Sequence, residues 1–397
     1  MQLYRQENSA LLMSYVVSID WLAIYCHFCP PSKSLDDVDN DDHRSDRDVD
    51  WEPVEGDGSM FGAYAWRYKL EDFGTRQFSR LYRVAIPNAE GGWDDFCEVQ
   101  SKPHSGILKK ESIVIRFVNR VLYTPDFWEL AIRFLEDNHF KFINISRIDL
   151  CADFNQFVEM SPLSLIESFA AKKLRHVGRG VGALYFNHGV LLDKFTGKRE
   201  YGVKYTGLSF GTHSSDARVY LYDKSFELDT QGNKPWIKDK WKTAGLDATC
   251  VWRLEVSIKA KGCKFKERGK KEQKPFELGD IQDDFTLSDV YLAFVAHLFS
   301  FIRLPMRQKN ITREPRVVLF DDKPTFERAT IRNVSAGNRF ERMFIKALWQ
   351  LGDLYRGASN IETADLAQSF AVNIAESTDL QRWLAERYNQ WERPTHK

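Results

Sequence analysis

Neither sign of charge predominates: 56 lysines and arginines stand against 56 aspartates and glutamates. Net charge therefore argues for no particular partner, and any nucleic-acid contact has to come from how charge is distributed. No apolar run reaches the ~18 residues of a membrane span. The most apolar one, 290–302, contains His297 and Ser300 and reads as a buried helix. The N-terminus lacks the charged start and apolar core of an export signal, so the expectation is a cytoplasmic chain with no membrane partner. Cysteine is scarce, six in 397 residues, and is expected as reduced thiol. Cys26-His-Phe-Cys29 has metal-ligand spacing, but no second Cys-x-x-Cys or histidine pair follows to complete a zinc site. The aspartate-dense segment 32–58 lacks the sixth-position glycine and closing glutamate of an EF-hand. Its apolar content is too low to offset ordering, and it reads as a mobile acidic insertion.

What is present is apolar and aromatic: 43% hydrophobic residues, 14% aromatic, enough for a large core. Residues 15–28 are β-branched and aromatic and read as a first strand, bent at Asp20. Short alternating segments from 63 to 117, broken by Gly74, Pro87-Asn88 and Gly91-Gly92, have the pattern of an antiparallel meander. Thr124-Pro125-Asp126 opens a helix whose stripe is Phe127, Leu130, Ala131, Phe134 and Leu135, and Ser161-Pro162 opens another. Thr286-Leu-Ser-Asp289 is read as the cap of the buried helix, and 317–320 as a short strand. From Asn338 onward the pattern is helical. These elements give an α+β class: a large, mainly antiparallel sheet with helices packed on one face, plus a mostly helical C-terminal region.

Three strands carry the chemistry. Read with a period of two, 218–227 sends Arg218, Tyr220, Tyr222 and Lys224 to one face. The strand 147–154 places Arg147, Asp149, Cys151 and Asp153 together, and 252–259 does the same for Arg253, Glu255, Ser257 and Lys259. Phenols, carboxylates and guanidinium groups on one sheet face are the inventory for cutting a phosphodiester with a tyrosine and a metal ion. Attack by a phenol of ordinary pKa near 10 needs a neighbouring cation, and Lys224 and Arg218 share the face. Hard oxygen ligands at Asp149, Asp153 and Glu255 favour Mg²⁺ or Mn²⁺. Arg253 or Arg147 is placed to grip a phosphate oxygen, or else to pair with the acid two residues on. The basic stretch after 259, with Lys259, Lys261, Lys264, Lys266, Arg268, Lys270 and Lys271, is expected to meet a phosphate backbone. Ser214 and Ser215, in the glycine-rich turn before the tyrosine strand, can approach a phosphate closely.

Taken in order, Ile19-Asp20-Trp21-Leu22, the 147–154 motif, the Gly211 turn, Tyr222-Asp-Lys224 and Trp252-Arg253-Leu-Glu255 resemble the replication initiation factor family. That family includes Rep_trans-type rolling-circle plasmid initiators and related conjugative-element relaxases. The resemblance spans about residues 15–330 and implies a metal-dependent nickase and strand transferase that forms a 5′-phosphotyrosine link at an origin. Tyr222 matches the family's tyrosine, Tyr220 being the less favoured nucleophile, and Asp149, Asp153 and Glu255 match its acidic positions. It also implies a homodimer, DNA with a single-stranded nick site as partner, and a host helicase. The alternative is an origin-binding protein without catalysis. The absence of a histidine-hydrophobe-histidine triplet argues against nickases that hold their metal with two histidines. On this reading 1–31 supplies the first strand of the catalytic domain, 32–58 the acidic insertion, 59–332 the nicking domain and 333–397 a helical module.

Overall fold

The computed structural model describes residues 14–30, 51–53, 56–57, 65–104, 108–178, 182–192, 199–212, 215–232, 234–267, 274–306, 308 and 310–328. They belong to one compact unit, Met1–Ala329. The expected helical module at 333–397 and residues 32–50 of the acidic segment lie outside the described residues.

The strands are β1 (Tyr15–Phe28), β2 (Gly56–Asp57), β3 (Arg67–Leu70), β4 (Phe78–Pro87), β5 (Trp93–Pro103), β6 (Ser112–Phe117), β7 (Phe140–Phe154) and β8 (Leu174–His176). They continue as β9 (Gly182–Leu192), β10 (Arg199–Phe210), β11 (Ala217–Asp223), β12 (Trp252–Lys259), β13 (Lys264–Glu267), β14 (Lys274–Pro275), β15 (Phe301–Arg303) and β16 (Phe326–Arg328). Eleven of them form one sheet in the order β2-β3-β4-β5-β6-β1-β7-β12-β11-β10-β9. Every neighbouring pair in it is antiparallel. The helices are α1 (Phe127–Asp137), α2 (Pro162–Ala170), α3 (Lys224–Gln231), α4 (Pro235–Ala244), α5 (Leu278–Gln282) and α6 (Asp284–Leu298). Together these make an α+β fold with a large antiparallel sheet.

Alternation decides which face is covered. Leu22, Ile24, Ile148, Leu150, Leu254, Val256, Val219 and Leu221 are buried in one continuous core. α1 and α6 close that face: Phe134 packs edge-on against Trp66 at 4.9 Å between ring centroids, and the Tyr291 hydroxyl donates to the Leu254 carbonyl at 2.8 Å. A second, smaller cluster of Leu228, Ile237, Trp241, Ala244, Leu246 and Val251 lies under α3 and α4. There α4 folds over one end of the opposite face, where Trp241 and Lys240 reach Asp153 and Ser18. Among the described residues no helix is long and apolar enough to cross a membrane.

Four expectations need correcting. The strand 218–227 stops at Asp223, whose carboxylate accepts from the Phe226 amide at 2.9 Å and starts α3; aspartate caps outcompete strand continuation when they satisfy a helical N–H. The cap of α6 is Asp283, bonded to the Thr286 amide at 2.7 Å, while Asp289 is buried within the helix and accepts from the Thr325 amide. Residues 317–320 are not a strand, although Val317 bonds the Phe301 carbonyl and Val318 and Leu319 bond the 158–159 backbone. Trp51, inside the segment read as a mobile insertion, is buried against Tyr68, Tyr82 and Phe140, since an indole gains more in the core than in water.

The ring cluster around Phe134 carries the α1 face of the sheet. Phe134→Ala, which leaves a cavity among Trp66, Phe96 and Phe140, should lower stability by ~3–5 kcal/mol. Urea unfolding followed by tryptophan fluorescence should show this as a lower midpoint at unchanged slope.

Candidate active site

The register brings the three chemistry-bearing strands side by side, with β12 in the middle. Across β7, β12 and β11, Asp153 faces Arg253 and Arg253 faces Tyr222; Cys151 faces Glu255 and Glu255 faces Tyr220; Asp149 faces Ser257 and Ser257 faces Arg218. Directly opposed residues point to the same side of a sheet, so all nine stand on the face that α4 covers at one end. β10 adds Gly207 opposite Tyr222 and Ser209 opposite Tyr220. A Cβ at Gly207 would lie 2.8 Å from the Leu221 carbonyl oxygen and 3.0 Å from the Tyr220 ring, so glycine here keeps both clear.

One end of the face is a buried ion cluster. Arg253 has no exposed side-chain surface; its Nε and Nη2 donate to the two carboxylate oxygens of Asp153 at 2.6 and 2.7 Å, and its Nη1 donates to Asp20 at 2.5 Å. The Trp241 indole donates to Asp153 at 2.7 Å, and Tyr123 and Asn119 donate to Asp20 at 2.9 and 3.2 Å. Burial alone would raise the Asp20 pKa, but Arg253 and Lys224 outweigh it and hold the carboxyl well below the usual carboxylate range. Burial works against the Arg253 charge too, yet the surrounding anions, Asp153 first, keep it firmly protonated.

This cluster corrects two expectations. Arg253 is sealed under α4 and committed to two carboxylates, so it positions strands and does not grip phosphate. Asp153 is held at both oxygens by Arg253 and at one of them by Trp241 as well, so it serves the buried ion cluster. Arg147 does pair with the acid two residues on, donating to Asp149 at 3.0 and 2.5 Å. Among the described residues no three histidine, cysteine, aspartate or glutamate side chains come together as a group able to hold a metal ion. The three-carboxylate site is therefore not assembled, and Asp149 and Glu255 stand outside the Arg253 cluster.

Next to the cluster lies a pocket of ≈ 390 Å³, lined by Thr206, Arg218, Tyr220, Tyr222, Glu227 and Glu255 among others. The Tyr222 hydroxyl donates to Glu255 Oε2 at 3.1 Å and accepts from the Lys224 ammonium at 3.4 Å. Lys224, though it opens α3, is buried and also paired with Glu227. The Tyr220 and Tyr222 rings stack at 4.7 Å, and Tyr185 from β9 adds a third ring 5.0 Å from Tyr220. Burial, then the charges of Asp149 and Asp20, push the Glu255 carboxyl up to about 7. Burial and the Glu255 charge raise the Tyr222 phenol well above its ordinary value, and Tyr220 is pushed up to about 12, burial again coming first.

The candidate DNA contacts are more scattered. Lys259, Lys261 and Lys264 are exposed, and Lys266 lies on β13. Arg268, Lys270, Lys271 and Ser214 lie outside the described residues. Ser215 is spent on its turn, its hydroxyl accepting from the Thr212 amide at 3.0 Å. Sequence reasoning missed Tyr123, Asn119 and Trp241 and left Asp20 undecided. The signal for Trp241 was there: Pro235 and Gly245 bracket a ten-residue helix, with Gly245 in the left-handed conformation at φ 71°, and Ile237, Trp241 and Ala244 share one of its faces.

No family model matches the chain, and no curated protein matches it. Among solved structures, a rolling circle replication initiator protein from Geobacillus stearothermophilus aligns over 76% of this chain and 92% of its own, at 13% identity and a TM-score of 0.39.

The raised Glu255 carboxyl has a measurable consequence. The unfolded chain releases this proton near 4.5 and the folded chain holds it to about 7, so the folded state binds the extra proton in between. Stability should fall as pH rises through that window and level off above it, by on the order of 3 kcal/mol. Glu255→Gln should remove that fall and be the more stable protein at pH 8, as read from urea midpoints across pH.

Proposed function

We propose that this chain nicks and rejoins one DNA strand to initiate rolling-circle replication of a plasmid, phage or mobile element, with Tyr222 as nucleophile. One observation carries the reading: a phenol in an open pocket, bonded on one side to a carboxylate of raised pKa and on the other to a buried ammonium. That is the arrangement an activated oxygen nucleophile needs, a base to take its proton and a fixed cation to stabilise the anion.

In the proposed step the Tyr222 oxygen attacks phosphorus, its proton passes to Glu255, and the bond from phosphorus to the 3′ oxygen breaks. The DNA 5′ end is left on the tyrosine, and the 3′ oxygen leaves as a hydroxyl after taking a proton from solvent. Lys224 stabilises the phenolate as it forms. Arg218, at the pocket wall, is the cation for a non-bridging oxygen. Tyr220 stacks on the nucleophile and offers its ring to a base. A divalent cation, Mg²⁺ or Mn²⁺, is proposed to be held by Asp149 with substrate phosphate, since Mg²⁺ needs only one or two carboxylates in such sites, and Glu255 is kept for the proton. When bound it would polarise the scissile phosphate.

The competing reading, an origin-binding protein without cleavage, is favoured by the elevated Tyr222 pKa. Labelled single-stranded origin DNA separates the two. Wild-type protein should form a covalent adduct; Tyr222→Phe should abolish it while binding persists, and Lys224→Met should slow it ~10²-fold. Adduct formation should rise with pH through about 7 as Glu255 ionises, and Glu255→Gln should lose that limb. Adducts surviving Tyr222→Phe but lost in Tyr220→Phe move the nucleophile; no adduct from any form leaves only the binding protein.

A further inference from the structure

The open end of the same sheet face carries a line of cations that the proposed chemistry does not use. Reading partners strand by strand, Lys69 on β3 faces Arg83, Arg83 faces Glu98, and Glu98 faces Arg116. Arg116 faces Ala23, Ala23 faces Arg147, and Arg147 faces Lys259 on β12. Directly paired residues share a face, and the alternate residues Tyr68, Tyr82, Ile115, Leu22, Ile148 and Ile258 are buried beneath. Five cations thus lie in one row perpendicular to seven strands, ~29 Å long at ~4.8 Å per strand. The row passes ~13 Å from the level of Glu255 and Tyr220, four residues along β12 at ~3.3 Å each.

Glu71, Glu98 and Asp149 pair with cations of the row, Glu98 from within it. Arg83 is 53% exposed against 13% for its partner Glu71, Arg116 38% against 20% for Glu98, and Arg147 39% against 4% for Asp149. In every pair the acid is the more buried member, so an arriving molecule meets guanidinium groups held in place by it. Trp21 sits at the centre, with the Arg116 and Arg147 guanidinium groups 4.9 and 4.8 Å from its ring centroid. Its indole N–H is buried and has no hydrogen-bond partner, a donor without an acceptor in the middle of a cationic row.

We infer that this row is a track for the single-stranded DNA flanking the cleaved bond, running from the Tyr222 pocket across β7, β1 and β6 to β3. A row of cations about an indole, with guanidinium planes on which bases stack, is how single strands are bound without sequence preference. The inference rests on the nicking proposal for the identity of the strand, and its test does not depend on cleavage.

The test is the salt dependence of single-strand binding by the full chain. Fluorescence anisotropy with a labelled oligonucleotide long enough to cross the sheet, in EDTA so that no adduct forms, gives the slope of log Kd against log salt. Lys69→Gln with Arg83→Gln, both exposed and at the far end of the row, should lower the slope by ~1.4, at ~0.7 for each phosphate that is no longer neutralised. Arg133→Gln, on α1 against the other face, should leave it unchanged. An unaltered slope in the double variant with native circular dichroism overturns the track, as does an equal decrease per charge from Arg133→Gln. Adducts at Tyr222 with no slope change would sink the track and spare the nicking proposal; a slope change without adducts would do the reverse.

Discussion

A guanidinium with no exposed surface, shared between two carboxylates, organises this face of the sheet. Arg253 joins β12 to β7 through Asp153 and to β1 through Asp20, and Tyr123, Asn119 and Trp241 supply the remaining donors from the 3₁₀ turn at Val121–Tyr123, the residues before it and α4. Taking these charges out of water costs several kcal/mol per ion, and mutual attraction returns that only when geometry is good and the remaining lone pairs are bonded. The geometry here is bidentate toward Asp153, and both carboxylates receive further donors from Trp241, Tyr123 and Asn119. Such a cluster tolerates few alternative arrangements. It fixes the register of β7 against β12, and the irregularity in β1 between Ile19 and Trp21 is what sets Asp20 opposite no β7 residue and aims it at Arg253.

The same cluster decides what its neighbours can do. Because Asp153 and Asp20 claim Arg253, Glu255 two residues along the strand is left to the phenol of Tyr222 and to the like charge of Asp149. Burial and that like charge therefore push its carboxyl to about 7, while Asp20 stays ionised far below that. Two acids on one sheet face acquire opposite characters from their surroundings, one a permanent anion that holds structure and one poised to exchange a proton near neutrality. Tyr222 stands opposite Arg253 in register but bonds diagonally to Glu255, so the phenol is coupled to the titrating acid and not to the structural one.

The period-two pattern made the sheet legible: 147–154 and 252–259 lie within observed strands, and their polar residues share a face because a strand offers no other choice. Cross-strand pairing was not legible. Asp149, Asp153 and Glu255 look alike in one dimension, and only the register shows that one is bound to Arg147, one to Arg253 and one to a phenol. The passage from β11 into α3 was hidden by Lys224, which continues the alternating charges past the residue where the backbone turns helical. Asp223 was the readable sign, an aspartate ahead of Ser-Phe-Glu. Trp51 was misplaced because the aspartates before it dominated the composition of its segment, and composition averages away a single residue that packs.

On the proposed reading the nucleophile sits on a strand and not on a loop. Tyr222 is paired on both sides, with Gly207 of β10 and Arg253 of β12, so its direction is fixed and a DNA substrate would have to come to it. On the proposed track, the cations at the level of Lys259, four residues along β12 from Glu255, are already set in a row by the pairs that build the sheet. α4 closes the end where charge must be dry to hold register. At the other end the exposed Arg83, Arg116 and Arg147 are each paired with a more buried carboxylate, which leaves on the outside the charge that would attract phosphate on the proposed track.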